Sequence, residues 1–215
     1  SYSKGKPGDA VSMNAKASYV YTHITQDMLF SETAGRNIPI GASDRHAGLL
    51  GFRLLLGNWF DSLLNVGYSH STLADTGELI PYIPEWIIRL DVAVQDRISD
   101  WELGGVPVAG RLGLGFTYVP GRPLPLKEYG DAMYLLNLGG EIRLYHFSLG
   151  IEMRNLLDLR YRQSEYHYAS NFESPDAIPS QVAERHFAAG EPFFAMGTLT
   201  WHIEDMIRGF VGGAP

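Results

Sequence analysis

The residues that could perform chemistry are histidines, carboxylates and arginines, and their spacing forms no catalytic motif. The 215-residue chain has seven histidines, which are scattered and include neither an HExxH pattern nor a close pairing with aspartate. It has no cysteine, so a thiol nucleophile and a thiolate metal site are excluded. Gly113 and Gly115 lie within a predicted strand and not at a nucleotide-binding turn. We therefore expect no enzymatic activity, no metal site and no cofactor.

Charged residues occupy alternate positions of otherwise apolar segments. This alternation is typical of a β-strand with one apolar and one polar face. We expect the polar face to line a lumen. The predicted lumen-lining residues are Arg53, Arg89, Asp91, Arg111, Glu141, Arg143, Glu152 and Arg154. A wall of compensating charges is the favoured interpretation. The alternative is that Arg53, Arg89 and Arg111 hold neighbouring loops or steer an anionic solute.

A polar, aromatic loop at residues 162–187 is the predicted ligand-binding segment. Its candidate binding residues are Arg162, Tyr166, His167, Tyr168 and Phe172. Aromatic faces and hydrogen-bond donors on a loop over a rigid scaffold favour binding. An ordinary external loop packed on its neighbours is the alternative. No residue pattern identifies the ligand, and an iron chelate, a sugar or a peptide would suit the loop equally.

The elements that must position these residues are eight strands. The alternating pattern predicts strands at about residues 12–25, 46–57, 62–72, 85–96, 108–119, 133–144, 147–154 and 190–203. Most are near the roughly 9–11 residues that a tilted membrane strand needs. A water-soluble sandwich would bury the apolar faces, whereas a membrane barrel would turn them to lipid.

The connections between these strands favour the barrel. The first, third, fifth and seventh connections are predicted to be long, at residues 26–45, 73–84, 120–132 and 157–191. The second and sixth, 58–61 and 145–146, are tight. The fourth, 97–107, is longer than the barrel rule expects, unless both flanking strands extend into it. Bacterial outer-membrane barrels alternate short periplasmic turns with long extracellular loops in this way.

Composition and charge exclude two other classes. The formal net charge is −7 without a long basic run, which argues against nucleic-acid binding. No apolar stretch reaches the roughly 18–20 residues of a transmembrane helix. Only 19% of the residues are charged, and the 24 glycines and 12 tyrosines are typical of a barrel.

Four segments, taken in order, resemble the C-terminal barrel portion of TonB-dependent outer-membrane receptors. Residues 75–84 carry a glycine and two prolines before the fourth strand, and residues 110–123 resemble the next strand with its arginine-containing loop. Asn155-Leu156-Leu157-Asp158-Leu159-Arg160-Tyr161 is similar to the family's NLxDxxY signature. Gly190-Glu191-Pro192 resembles the opening of the last strand, with Phe193 in place of the usual arginine.

The resemblance implies an all-β, antiparallel transmembrane β-barrel in the outer membrane of a Gram-negative bacterium. About eight strands match the last strands of a 22-stranded receptor barrel with a plugged lumen. The implied function is uptake of a scarce solute, with a second polypeptide supplying the plug and the remaining strands. The implied partners are outer-membrane lipid, that polypeptide and, through it, TonB.

The predicted organisation is a lead-in at residues 1–11, barrel strands with extracellular loops at 12–203, and a periplasmic tail at 204–215. Two alternatives remain open. One is a structural or secretion subunit of a multi-chain outer-membrane complex. The other is a self-contained eight-strand barrel, whose interior would have to be filled by side chains.

Overall fold

The computed structural model describes residues 2–4, 10–32, 34–103, 106–144, 146–169 and 183–203. Their strands are β1 (Tyr2–Lys4), β2 (Val11–Ser31), β3 (Arg36–Leu56), β4 (Phe60–Leu73), β5 (Trp86–Leu103), β6 (Val106–Val119), β7 (Met133–Leu144), β8 (Phe147–Arg154), β9 (Arg162–Ala169), β10 (Ala183–Ala189) and β11 (Phe194–Trp201). One short 3₁₀ turn spans Pro125–Lys127. Among these residues, no helix is long and apolar enough to cross a membrane.

The strands form one antiparallel sheet of nine strands in the order β1-β2-β3-β4-β5-β6-β7-β8-β11, and β9 and β10 form a separate hairpin. The predicted all-β, antiparallel fold is therefore confirmed. Within the described residues the sheet is open, because β11 pairs only with β8, and β2 pairs only with β3 and the short β1. The closed transmembrane barrel stays a prediction.

The eight predicted strands correspond to β2–β8 and β11. The prediction for β7 has the observed bounds, and those for β4, β6 and β8 differ by at most two residues. These strands could be predicted closely because apolar and polar residues alternate along them over 8 or more residues. Such alternation indicates both the extent of a strand and which residues share a face.

One predicted connection was wrong. Residues 26–45 are not a long loop, because β2 and β3 continue as a paired hairpin to Ser31 and Arg36. This extension is irregular, with register shifts around Asp27 and Pro39 opposite Met28, so its sequence lacks a regular alternation. Both strands that flank residues 97–107 extend into this connection, since β5 ends at Leu103 and β6 begins at Val106.

Short and long connections lie at opposite ends of the sheet. At the turn end, the strands are joined through residues 57–59, 104–105 and 145–146. At the loop end, they are joined through residues 32–35, 74–85, 120–132 and 155–193, the last containing the β9–β10 hairpin. The predicted alternation of short and long connections therefore holds after β3, whereas the first connection at the loop end, residues 32–35, is short because β2 and β3 continue as a paired extension.

Strand register places the apolar residues of the central strands on one face, which we call the apolar face. Paired residues point to the same side of a sheet. One row across the sheet joins residues 15, 52, 64, 90, 116 and 136, which are Ala15, Phe52, Leu64, Leu90, Phe116 and Leu136. A further row ends in Ile142, Leu149 and Leu199. The opposite side, the polar face, carries the charged residues and several glycines.

The apolar face is not covered by a second layer. Leu50 is 46% exposed and Leu199 is 70% exposed, although both lie in the middle of strands. Among the described residues, the buried hydrophobic side chains are only Ile80, Val108 and Leu124. A sheet of a water-soluble domain packs its apolar face against another layer, and the described part of this chain supplies none.

Candidate functional site

The polar face gathers every residue that was predicted to line a lumen. Register pairs Arg111 with Glu141 and Arg143 with Ser148 across neighbouring strands, and Glu152 lies opposite Gly139. Arg53, Arg89, Asp91 and Arg154 occupy positions of the same alternation on β3, β5 and β8. The structure thus brings these residues together on one face, although their role in a lumen stays a prediction.

Three arginines of the polar face are held by carboxylates. The Arg53 guanidinium donates to both Asp61 oxygens at 3.0 and 2.7 Å, and Arg89 donates to both Asp91 oxygens at 2.8 and 3.1 Å. Arg154 Nε donates to Glu152 at 2.7 Å. Such bidentate pairs fix the guanidinium planes.

The sequence analysis missed Asp61, because it placed this aspartate in the tight connection at residues 58–61, whereas β4 begins at Phe60. Its alternation with Leu63 and Asn65 was the available signal, since these residues lie on one face of β4.

Small residues separate these charged pairs. Gly113, Gly115 and Gly139 lie on the polar face between the strands that carry Asp91 and Glu152. A Cβ at Gly115 would lie 3.1 Å from an Asp91 carboxylate oxygen. The glycines therefore leave the charged side chains room to lie along the sheet, and they expose a polar wall with open space above it.

The apolar face ends in aromatic rings at both ends of the sheet. At the loop end, Tyr68 lies beside Trp86 with ring centroids 4.6 Å apart, and Tyr118 is paired with Tyr134. At the turn end, Phe147 stacks on Trp201 at 6.1 Å. On β4, the segment from Phe60, which lies beside Trp59 at the turn end, to Tyr68 spans nine residues. This length matches the roughly 9–11 residues of a tilted membrane strand.

The predicted ligand-binding residue Arg162 is engaged within the loop end. Its guanidinium pairs with Glu165 at 2.8 Å and Asp131 at 3.3 Å and lies 4.6 Å from the Phe187 ring centre. The hydrogen bond to Glu165 raises the pKa of Arg162, which therefore stays protonated. Glu165 is almost fully buried and also accepts a hydrogen bond from the Asp131 N–H at 2.6 Å.

The other predicted binding residues of β9 also make internal contacts. Tyr166 lies 5.8 Å from the Tyr82 ring, and Tyr168 lies 4.2 Å from the His186 ring. His167 Nδ1 lies 3.2 Å from the Pro125 carbonyl oxygen. The His167 contact joins the β9–β10 hairpin to the 120–132 connection, and the Tyr166 contact joins it to the 74–85 connection. Phe172 lies outside the described residues, and the assignment of all five residues to a ligand stays a prediction.

The segments 155–161 and 190–193, which contain the last two motifs of the sequence analysis, are linked by hydrogen bonds. We call this linked pair of segments the brace. Asn155 has a positive φ of 48°, and its amide donates to the Leu159 and Glu191 carbonyl oxygens at 2.9 and 3.1 Å. Asp158 accepts a hydrogen bond from the Phe193 N–H at 3.1 Å.

The Tyr161 hydroxyl closes the brace by accepting a hydrogen bond from the Glu191 N–H at 3.1 Å. Its ring also lies over Gly190. The brace therefore fixes where β11 begins after the long 155–193 connection.

Asp27 anchors the extension of β2 and β3 at the loop end. The buried carboxylate accepts hydrogen bonds from Ser43 Oγ at 2.6 Å and from the Met28 N–H at 2.9 Å, and it pairs with Arg45. Burial alone would raise the pKa of Asp27, but these hydrogen bonds and the Arg45 charge together hold the pKa below its usual value. The sequence analysis missed this residue because it placed residue 27 in a loop.

No group of histidines and carboxylates that could hold a metal ion occurs in the described ranges. In comparisons with known proteins, no family model, curated protein or solved structure matches the chain. The interpretation of function therefore depends on the residues and their geometry.

Proposed function

We propose that this chain is part of a TonB-dependent-receptor-like outer-membrane barrel that takes up a scarce solute. A second polypeptide supplies the plug and the strands that complete the barrel. The chain lies in the outer membrane of a Gram-negative bacterium, contacts lipid through its apolar face, and reaches TonB through its companion.

The exposed apolar face is the observation that carries the proposal. Burying apolar surface contributes about 25 cal/mol per Å², so a continuous apolar sheet face without a covering layer would be strongly unfavourable in water. Lipid is a solvent that such a face prefers. The aromatic rings at both ends of the face support this assignment, because tyrosine and tryptophan favour the membrane–water interface.

The polar face and the open edges support a larger, multi-chain barrel. Arginine–carboxylate pairs with glycines between them suit a wet interior more than the tightly filled interior of a small barrel. In lipid, the free N–H and C=O groups of β2 and β11 would be costly unless further strands pair with them. Both edges therefore support completion by another polypeptide.

A structural or secretion subunit of a multi-chain outer-membrane complex is the second candidate, because the same open edges suit it. The companion distinguishes the two. A polypeptide with a plug domain supports solute uptake, whereas several unrelated subunits without a plug support the structural role.

The experiment is extraction from outer membranes in mild detergent, followed by size-exclusion chromatography and mass spectrometry of what stays bound. We expect a stoichiometric companion with a plug and about fourteen strands, since the matching receptor barrels have about 22. A compact monomer that shifts its gel mobility on heating would overturn the split receptor and leave a self-contained eight-strand barrel.

A further inference from the structure

We propose that a cavity at the loop end binds an uncharged, hydrocarbon-rich small molecule. This inference rests on the proposed function and names the solute class for the outer mouth of the barrel. The cavity has a volume of about 650 Å³ and lies between the β2–β3 extension and the 74–85 and 120–132 connections. Its apolar lining includes Leu29, Ile40, Leu73, Leu79, Leu124 and Leu126.

The floor of this cavity is the best-packed apolar part of the described chain. Ile80 is 2% exposed and Leu124 is 3% exposed, and both line the cavity. Backbone hydrogen bonds hold them, from the Ile80 N–H to the Ser71 oxygen at 2.9 Å and from the Leu124 N–H to the Glu128 oxygen at 2.8 Å. A pre-formed apolar cavity of this size is typical of small-molecule sites, which range over roughly 300–1,000 Å³.

The cavity includes a residue of the polar face. Leu73 is paired with Ser43, whose hydroxyl donates to Asp27 on the polar side of the β2–β3 extension. A molecule held against Leu73 would therefore lie above the polar face and not against lipid. This position suits a solute that binds at the outer opening of a barrel before uptake.

An apolar side chain is displayed at the rim by an unusual backbone. Leu126 and Lys127 both have positive φ, 62° and 63°, which bulky residues rarely adopt. Leu126 is 73% exposed although it lines the cavity. Strained residues of this kind cluster at ligand clamps, and an apolar ligand would cover the Leu126 side chain.

The charged residues around the rim pair with one another. Lys127 Nζ lies 3.2 Å from a Glu78 oxygen, and Arg185 lies 3.3 Å from a Glu128 oxygen. These pairs leave the rim without a net charge that would select an ion. The ligand class that fits is therefore uncharged, and Arg162 and its β9 neighbours Tyr166 and His167 are not part of the lining.

The test measures naphthalene binding by equilibrium dialysis. The chain is purified with its companion and placed in lipid nanodiscs, and protein-free nanodiscs give the background of partition into lipid. We expect saturable binding of one naphthalene per chain. We expect 2-naphthoate, the same ring system with a carboxylate, to bind at least ~10-fold more weakly, because its charge would lose hydration against the apolar lining and Lys127 at the rim is already paired with Glu78.

Leu126→Asn provides the test of the site. Asparagine tolerates positive φ, so this variant should fold, but it removes the apolar contact of one leucine and should weaken naphthalene binding about 10-fold. Leu157→Asn is the matched control, because Leu157 is similarly exposed at the loop end and does not line the cavity. Equal binding by both variants would overturn the site.

The remaining outcomes are also decisive. A lipid-embedded complex that shows no saturable naphthalene binding overturns this inference and leaves the proposed function intact. Binding by the chain alone but not by its complex would mean that the companion fills the cavity, which overturns the inference as well. A chain that does not embed in lipid overturns both proposals.

Discussion

At the scale of single residues, close backbone approaches define the loop end. Gly190 lies against the Tyr161 ring, where an added Cβ would be 2.2 Å from the ring carbon that carries the hydroxyl. Gly130 similarly lies against the buried Glu165, and its Cβ would be 2.3 Å from a carboxylate oxygen. At both positions a side chain would displace a group that holds the 155–193 connection in place.

We predict that Gly190→Ala destabilises the protein by about 1–3 kcal/mol, because overpacking a rigid ring costs free energy. The change is measured as a lower guanidinium unfolding midpoint. In Gly197→Ala, the new Cβ would lie no closer than 4.0 Å to another atom, so this control should be nearly neutral.

A double-mutant cycle identifies the cause. Removing the ring in Tyr161→Ala should make the added Gly190→Ala change nearly harmless, since neighbouring residues in contact are not additive. Full additivity of the two substitutions would contradict a clash between the alanine and the ring.

The residues of this brace illustrate how far sequence can go at this scale. Asn155, Asp158, Tyr161 and Gly190 are visible as motif positions because they resemble a family pattern. Their mutual contacts are not visible, since 28 residues separate Tyr161 from Gly190 along the chain. The partners Glu165 and Asp131 also stayed hidden, because a single buried carboxylate in a polar loop leaves no periodic signal.

At the scale of elements, the β2–β3 hairpin projects beyond the apolar face and depends on polar contacts. The Tyr21 hydroxyl donates a hydrogen bond to Asp44 at 2.6 Å, and His23 Nδ1 lies 2.9 Å from the same carboxylate oxygen. Further along the hairpin, Asp27 accepts hydrogen bonds from Ser43 and Arg45. Sequence patterning predicted the apolar parts of these strands and missed their extension. Alternation indicates which face meets an apolar medium, and the register shifts at Asp27 interrupt that alternation.

We predict that Asp27→Asn loosens this hairpin at neutral pH. The pKa of Asp27 is lower in the folded state than in the unfolded chain. Its contribution is therefore complete above about pH 4 and is lost as the pH falls through the folded value. At pH 7, the variant should lose about 1–3 kcal/mol of local stability. Hydrogen exchange of the peptide spanning residues 24–45, corrected for intrinsic rates, measures this loss.

The difference between wild type and Asp27→Asn should shrink as the pH falls below about 4. Asp75→Asn is the control, since Asp75 is exposed in the 74–85 connection, and it should leave the exchange of this peptide unchanged. A difference between wild type and Asp27→Asn that persists unchanged at low pH would contradict the assigned role of the carboxylate.

At the scale of the whole molecule, the described residues form a nine-stranded sheet with two faces of different chemistry, beside the separate β9–β10 hairpin, and this sheet is open within that part of the chain. Sequence patterning anticipated the two faces and nearly every strand of the sheet, because period-2 alternation in eight segments has one structural interpretation. It could not anticipate whether the sheet closes, since the described residues give β11 no partner besides β8 and give β2 none besides β3 and the short β1. The central claim is that the apolar face meets lipid.

Site-directed spin labelling of two neighbouring leucines on β4 tests that claim most directly. The chain has no cysteine, so Leu63→Cys and Leu64→Cys each carry one label. Leu64 pairs with Phe52 and Leu90 on the apolar face, whereas Leu63 pairs with Arg53 and Asp91 on the polar face.

The measurement compares relaxation of each label by oxygen, which concentrates in lipid, and by a water-soluble nickel chelate. In reconstituted vesicles, we expect the label at residue 64 to respond to oxygen and the label at residue 63 to respond to nickel. Equal access of nickel to both labels would contradict the account, because it would place both faces of the sheet in water.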